Sequence, residues 1–330
     1  MKILITGANG FVGSHLSEDL LKKGHEVYAL VRSPKKFSDL INTSVPGLTV
    51  IKGDLEDTSW VNLLPIDLDT CIHTAGIVHT YNTDDFYLVN AGGTENLTKA
   101  LKTRFTQLHF LLVSSLAAAG PSLGSEKKNE SDLDFPVSIY GRSKKRAEEV
   151  LYENSPKSWE IAIVRPPMVI GPRDAAVLDI FKMVQGRVIL LPGMNSRSKL
   201  YSFVCVVDLV DTLTKIVEKK ERGLFYSAHP VIVSFDQIIS EIKIQLKRRW
   251  IFFLPLPLIL IKLVAALLHI FYRIRPHALR LTPDKIYELA ATNWICDGKK
   301  SEDILGQVYS YDLKRTISLT LIDYKSRKWI

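Results

Sequence analysis

The chain has 330 residues, of which 46% are hydrophobic and 24% charged, so it can bury a large core and has an ordinary globular composition. Its net charge is +8, but no nucleic-acid-binding module is recognisable, which argues against nucleic acid as a partner. The three cysteines lack Cys-x-x-Cys spacing, which argues against a zinc site or a disulfide framework and favours a reducing compartment.

The beginning of the chain predicts a strand, a glycine turn, a helix and a second strand. Lys2–Thr6 is apolar and β-branched, as expected of a buried strand, and Phe11–Lys23 has helical periodicity. Glycines let the backbone approach phosphates, and the helix start offers unpaired N–H groups and the positive end of its dipole. The turn therefore predicts a dinucleotide pyrophosphate site. Its predicted contacts are Gly7, Gly10, Phe11, Val12 and Gly13.

The spacing of these glycines is Gly-x-x-Gly-x-x-Gly rather than the commoner Gly-x-Gly-x-x-Gly. This spacing resembles that of the extended members of the short-chain dehydrogenase/reductase superfamily. The resemblance implies an NAD(P)-dependent enzyme with a Rossmann fold. It also implies a smaller C-terminal lobe that binds a small-molecule substrate.

The residue after the second predicted strand bears on the choice of cofactor. NAD-binding units usually carry Asp or Glu here for the ribose hydroxyls, whereas this chain has Arg32, followed by Lys35 and Lys36. A guanidinium can clamp a 2′-phosphate that a carboxylate would repel, so we prefer NADP to NAD. The alternative is that Arg32 stacks on the adenine ring of either cofactor.

Two further turns resemble cofactor-binding segments of the family. The Gly-Asp-Leu sequence after the third predicted strand implies that Asp54 and Leu55 contact the adenine, although Asp54 could also cap the helix that follows. Ala75 and Gly76 follow the fourth strand, where the family keeps small residues beside the cofactor. Asn90, within the next predicted helix, is implied to have a supporting role.

Six predicted strands alternate with helices, which favours a parallel, doubly wound α/β sheet with its ligand at the carboxyl ends of the strands. The predicted strands are Lys2–Thr6, Glu26–Val31, Leu48–Lys52, Thr70–His73, His109–Val113 and Ile161–Arg165. The longest predicted helices cover residues 84–102 and the segment that ends near Asn154. The turn after the sixth strand adds Pro167 as a predicted cofactor contact.

Beyond the sixth strand the alternation loosens. We expect residues 1–170 to form the dinucleotide-binding domain, to which residues 200–228 return. We expect residues 171–199 and 229–330 to form a mostly helical lobe that binds the substrate. The elements expected in the returning segment are Ser202–Val206, Asp208–Lys219 and Leu224–Ser227.

Tyr140 and Lys144 lie four residues apart on a predicted helix and therefore share one of its faces. They follow a strand that ends in Ser114 and Ser115, in a chain with a dinucleotide turn. An ammonium nearby favours the phenolate form and so lowers the pKa of a tyrosine. The family resemblance implies that Tyr140 is the general acid/base and that Ser115 donates to the substrate oxygen. It also implies that Lys144 lowers the pKa of Tyr140 and binds the ribose of the cofactor. Ser115 is preferred to Ser114 for its distance from Gly120.

The turn after Arg165 resembles that of dihydroflavonol-reductase-like and 3β-hydroxysteroid-dehydrogenase-like members. The main alternative is a nucleotide-sugar epimerase with tightly bound NAD. Such enzymes carry Arg-Asp-Tyr-x-His-Val-x-Asp, and residues 201–208 lack its arginine and histidine, although Arg197 and Lys199 are close in sequence. A non-catalytic NADP-sensing protein is the third alternative. Such proteins commonly lack the tyrosine or the lysine, whereas this chain has both Tyr140 and Lys144.

Residues 251–272 form a long apolar stretch, about as long as a bilayer core. A spanning helix would separate residues 281–330 from their own domain, and Pro255 and Pro257 would break its first half. Basic residues flank the stretch on both sides. They are Lys247, Arg248, Arg249, Arg273 and Arg275.

We therefore expect a buried lid helix from about Leu258 that lines an apolar pocket. Peripheral contact of residues 251–272 with an anionic membrane is the next alternative, and a transmembrane helix is the last. The first two favour an apolar substrate, such as a terpenoid, sterol-like or lipid-linked carbonyl. We expect a cytoplasmic protein, with membrane association and a homodimer as further expectations.

Overall fold

In a computed structural model of the chain, residues 1–257, 259–261, 263, 282 and 284–330 are described. Seven parallel strands form the central sheet. They are β1 (Lys2–Thr6), β2 (Glu26–Val31), β3 (Leu48–Lys52), β4 (Thr70–His73), β5 (His109–Val113), β6 (Glu160–Arg165) and β11 (Gly223–Tyr226). Their order across the sheet is β11-β6-β5-β4-β1-β2-β3, which confirms the predicted doubly wound fold.

The central strands are apolar on both faces because helices cover both sides of the sheet. Ile3, Leu4 and Ile5 of β1 are all fully buried, with alternate residues belonging to two different hydrophobic clusters. The helices of this part of the chain are α1 (Phe11–Lys22), α2 (Pro34–Ser38), α3 (Asp84–Phe86), α4 (Gly93–Lys102), α5 (Leu116–Ala119), α6 (Ile139–Asn154), α7 (Leu178–Gln185) and α8 (Val206–Lys219). Helices α1, α2, α4, α6 and α8 pack on the sheet, whereas α7 packs in a second core. Pairing of Thr6 with His73 brings the carboxyl ends of β1 and β4 to the same edge.

The helical segment predicted over residues 84–102 is present, but it is not regular throughout. A π-helical segment at Tyr87–Gly92 joins α3 to α4 and carries Asn90. Such π segments occur often at functional sites because they turn a side chain out of the regular helical register. Here Asn90 lies against α6, where its side chain donates to Ser143.

After β6 the chain builds a second hydrophobic core around three small sheets. Their strands are β7 (Met168–Ile170), β8 (Val188–Pro192), β9 (Leu200–Tyr201), β10 (Phe203–Cys205), β12 (Val233–Ser234) and β13 (Phe252–Leu256). The helices of this part include α9 (Phe235–Gln245), α10 (Lys285–Ala290), α11 (Lys299–Leu305) and α12 (Leu313–Ser326). Strand β11 pairs with β6, so this segment does extend the central sheet.

The first residues of the apolar stretch 251–272 form a strand, β13. β13 pairs in parallel with β8, with Phe252 opposite Val188 and Leu254 opposite Leu190. Pro255 is tolerated because β13 is an edge strand and need not donate at every residue. Most of the lid helix expected from about Leu258 lies outside the described residues. Within the described part of the chain, no helix is long and apolar enough to cross a bilayer.

Candidate active site

The glycine turn between β1 and α1 is shaped by close backbone packing. Gly7 has φ +70°, and a Cβ there would lie 2.7 Å from the backbone of Ala75. A Cβ on Gly13 would lie 2.3 Å from the carbonyl oxygen of Gly7. Only glycine fits these two positions, so the start of α1 lies directly against the ends of β1 and β4.

The same turn leaves the start of α1 open to an anion. Gly10 is the N-cap residue, and among the described residues no side chain accepts a hydrogen bond from the amides that follow it. Phe11 and Val12, which begin the helix, are half-buried. The unpaired amides and the positive dipole end fit the pyrophosphate of a dinucleotide, as the predicted contacts require.

The predicted adenine end lies at the carboxyl ends of β2 and β3. Arg32 is exposed and makes no hydrogen bond or ion pair with other residues in the described ranges. Asp54 Oδ1 accepts hydrogen bonds from the amides of Glu56 (2.9 Å) and Asp57 (2.8 Å), so its capping role is present. Leu55 is half-buried, and a Cβ on Gly93 would lie 3.1 Å from its side chain. Arg32 therefore remains available to a cofactor phosphate.

The predicted catalytic serine and tyrosine contact each other. Ser115 is the N-cap of α5 and accepts a hydrogen bond from the amide of Ala117 (3.1 Å). Its hydroxyl lies close enough to that of Tyr140 to lower the pKa of the phenol. Ser114, by contrast, is buried and donates to Glu148 Oε1 (2.5 Å) on the opposite side of the turn. The structure thus brings Ser115 and Tyr140 together, whereas the hydroxyl of Ser114 is bound to Glu148 and has a structural role.

Lys144 lies below this pair, and its ammonium donates to the carbonyl of Val113 (2.8 Å). Burial lowers the pKa of Lys144 to about 8, while Glu148 acts in the opposite direction. Burial raises the pKa of Tyr140 to about 12, and the nearby hydroxyl of Ser115 opposes that shift. In the ligand-free protein burial therefore outweighs the acid-strengthening effect that the sequence predicts for the Tyr-x-x-x-Lys pair.

Asn90 joins the π-helical segment to the catalytic helix. Its side-chain amide donates to Ser143 Oγ (2.9 Å) and accepts from the amide of Ile77 (2.9 Å). A Cβ on Gly76 would lie 2.9 Å from Asn90 Oδ1 and 3.7 Å from Lys144 Nζ. Glycine at position 76 therefore leaves space for the side chains of Asn90 and Lys144.

His73 takes no part in this arrangement. Its ring is buried between the hydroxyls of Thr6 (2.5 Å) and Thr94 (3.0 Å). Burial lowers the pKa of His73 to about 3, with the charge of Lys144 acting in the same direction. The ring is therefore neutral at physiological pH and packs as a core residue. Pro167 is half-buried in the turn between β6 and β7.

A buried cluster of charges supports the catalytic turn from below. Arg165, at the end of β6, binds Glu148 on α6 (2.5 Å) and Asp134 in the preceding loop (2.6 Å). Glu148 also receives the bond from Ser114. Sequence reasoning missed this cluster. The signals were an arginine that ends an otherwise apolar strand and a glutamate one helical turn after Lys144.

A second missed group lies at the start of the catalytic helix. Asp284 is buried, and its carboxylate accepts hydrogen bonds from the amides of Ile139 (2.6 Å) and Tyr140 (3.1 Å). Glu288, on α10, accepts from the hydroxyl of Ser138 (2.7 Å), the N-cap of α6. Two carboxylates from the C-terminal part thus meet the positive end of the helix that carries Tyr140.

Comparison with known proteins identifies the family. Residues 3–227 match the NAD dependent epimerase/dehydratase family. The chain is a member of this family. It is an NAD-dependent enzyme of the extended short-chain dehydrogenase/reductase type, as the glycine spacing predicts.

Relatives within the family have different named activities. A ceramide reductase of Caulobacter vibrioides (strain NA1000 / CB15N) is 30% identical over 215 residues, which cover 65% of this chain and 59% of that protein. A UDP-glucose 4-epimerase of Vibrio cholerae is 28% identical over 277 residues, covering 80% of this chain and 81% of that protein. The alignment with the reductase thus spans less than two thirds of that protein's length.

Solved structures of epimerases share the fold along nearly the whole chain. UDP-glucuronic acid 4-epimerase from Bacillus cereus, in complex with UDP-glucuronic acid and NAD, matches with a TM-score of 0.77 at 21% identity. That match covers 99% of this chain and 100% of the other. At this identity the likeness establishes the epimerase/dehydratase fold.

The lowered pKa of Lys144 gives a testable pH dependence for cofactor binding. We expect the Kd for NADPH to be constant near pH 7 and to rise above pH 8, roughly fivefold by pH 9.5, because the ammonium that would hold the ribose becomes neutral. Fluorescence titration measures this Kd. In Lys144→Met binding should be weaker and independent of pH, and an unchanged slope in the variant would contradict the assignment.

Asp284→Asn tests the carboxylate at the start of α6. We expect kcat to fall about tenfold, with the KM for the cofactor nearly unchanged, because the amide that fixes the Tyr140 backbone is held less firmly. Asp312→Asn is the matched control, since Asp312 caps α12 through the amide of Arg315 (2.8 Å). Equal losses of kcat in both variants would show that only general stability is affected.

Proposed function

We propose that the protein transfers a hydride between NAD(P) and the carbonyl or alcohol of an apolar small molecule. The observation that supports this most is that the hydroxyl of Ser115 lies near that of Tyr140 while Lys144, one helical turn after Tyr140, is buried. The open start of α1 lies at the same edge of the sheet. A non-catalytic sensor would have no need of this set of three groups.

The arrangement accounts for proton movement at the reacting oxygen. A bound nicotinamide would supply or take up the hydride. In reduction, the hydroxyl of Ser115 holds the substrate oxygen and Tyr140 donates its proton to it. The raised pKa of Tyr140 keeps the phenol protonated before the reaction. Lys144 has two further N–H donors besides the one bound to Val113, and these can hold the ribose of the cofactor.

The contacts of two cations favour an apolar substrate over a nucleotide sugar. Arg197 forms an ion pair with Asp236 (2.6 Å) and lies 4.2 Å from the centre of the Phe253 ring. Lys199 donates to the carbonyl of Leu289. The cations that could replace the missing diphosphate-binding arginine are therefore engaged elsewhere. Ceramide reductase, a relative named for a lipid, agrees with this reading.

A nucleotide-sugar epimerase with tightly bound NAD is the second candidate. The relative that aligns with 80% of this chain is a UDP-glucose 4-epimerase, and the fold matches epimerases along its length. An epimerase returns the hydride to its substrate and keeps its cofactor, whereas a reductase releases it. Turnover of UDP-glucose with co-purified NAD, and none of hydrophobic ketones, would favour this candidate.

Tyr140→Phe tests the proposed acid. We expect NADPH-dependent reduction of a hydrophobic ketone to fall at least hundredfold, because the proton donor is removed, while the Kd for NADPH stays nearly unchanged. Steady-state absorbance and fluorescence titration measure the two quantities. Tyr152→Phe is the control, because Tyr152 lies exposed on the same helix. Substantial activity in Tyr140→Phe would remove Tyr140 from this role.

Arg32 tests the preference for NADP. We expect the wild type to bind NADPH roughly tenfold more tightly than NADH, because a charge-assisted bond to the 2′-phosphate is worth about 1.5–3 kcal/mol. Arg32→Ala should abolish that preference by weakening NADPH binding alone. Lys36→Ala, an exposed cation in α2, is the control. Equal affinities for both cofactors in the wild type would assign the site to NAD.

A further inference from the structure

The β8–β13 sheet has one buried face and one exposed apolar face. Ile189 and Leu191 of β8 point inward and belong to the second hydrophobic core. The alternate side chains point outward and pair across the two strands. They are Val188 (43% exposed), Leu190 (47%), Phe252 (59%) and Leu254 (39%), and we call them the outer face.

Apolar side chains are also exposed in the sequence on both sides of β13. Trp250 precedes the strand and is exposed, and so are Ile259, Leu260 and Leu263 after it. Contiguous exposed apolar surface of this kind marks an interaction site in a folded protein, whereas scattered single residues do not.

Basic residues accompany this surface. From Ile242 to Pro283 the sequence contains eight Lys or Arg residues and no Asp or Glu. The net charge of this segment therefore equals that of the whole chain, +8, and the remainder is neutral. In the described part, Lys247, Arg248 and Arg249 directly precede Trp250, and the guanidinium of Arg187 lies 4.8 Å from the centre of the Trp250 ring.

We propose that the outer face and its basic edge dock on an anionic lipid bilayer. Aromatic and aliphatic side chains would enter the headgroup region while the cations contact lipid phosphates. A second copy of the chain fits this surface less well. A two-fold contact would place the same cations against each other, and like charges repel across an interface.

The docking surface adjoins the catalytic helix. Leu256, the last residue of β13, packs with Ile261 and with Ile286 on α10. Asp284, immediately before α10, is bonded to the backbone of Tyr140. Docking would therefore bring the edge of the active site close to the lipid phase. The proposal goes beyond the reaction and holds whichever substrate is turned over.

Vesicle flotation with the full-length protein tests the proposal. We expect the wild type to float with phosphatidylcholine vesicles that contain about 30 mol% phosphatidylglycerol, roughly tenfold more tightly than with phosphatidylcholine alone. High salt should reduce that difference, because the phosphates are screened. Phe252→Glu with Leu254→Glu should abolish flotation, and Lys247→Glu with Arg249→Glu should remove only the preference for anionic lipid.

Val308→Glu with Ile322→Glu is the matched control, since both side chains are exposed elsewhere. This variant should float like the wild type, and unchanged NADPH affinity would show that all variants are folded. A wild type that does not float, or a Phe252→Glu/Leu254→Glu variant that floats normally, would overturn the proposal. So would a wild-type dimer in light scattering that the same double variant dissociates without any vesicle binding, because the outer face would then be a self-association interface.

Discussion

The bond from the buried ammonium of Lys144 to the carbonyl of Val113 joins the helix that carries Tyr140 to the end of the strand that precedes Ser115. Tyr140 lies one helical turn before Lys144, and Ser115 lies two residues after Val113, so the bond holds the segments that carry both residues together. A cation held in this way is partly desolvated, and its pKa falls to about 8. The same contact therefore fixes the position of Lys144 and, through burial, makes its charge depend on pH near 8.

Two sets of charges hold the catalytic helix in place. Arg165, Glu148 and Asp134 form a buried cluster below the serine turn, where removing one partner would leave an unpaired charge. At the start of the helix, Asp284 binds the backbone amide of Tyr140. The C-terminal part of the chain thus contacts the start of the helix that carries Tyr140, although Ser115, Tyr140 and Lys144 all lie before it in sequence.

The local parts of this structure could be predicted because they depend on neighbours in sequence. The strand Lys2–Thr6 and the strand His109–Val113 have the predicted bounds, and the register of Tyr140 with Lys144 follows from helical spacing. The strand at Phe252–Leu256 was missed, since its partner lies some sixty residues earlier and two prolines obscured the pattern. The hydrogen bond from the amide of Tyr140 to Asp284 was missed for the same reason, because the two residues lie far apart in sequence.

The sequence by itself determined the family, the doubly wound sheet and the chemical types at the site, because glycine spacing and side-chain chemistry are encoded locally. Only the tertiary structure decided which partner each side chain contacts and in which direction its pKa shifts. It showed that Ser115 faces Tyr140 while Ser114 faces Glu148, and that burial raises the pKa of the tyrosine. Burial and contacts between distant segments arise only when the chain packs, and they decide the electrostatics of the site.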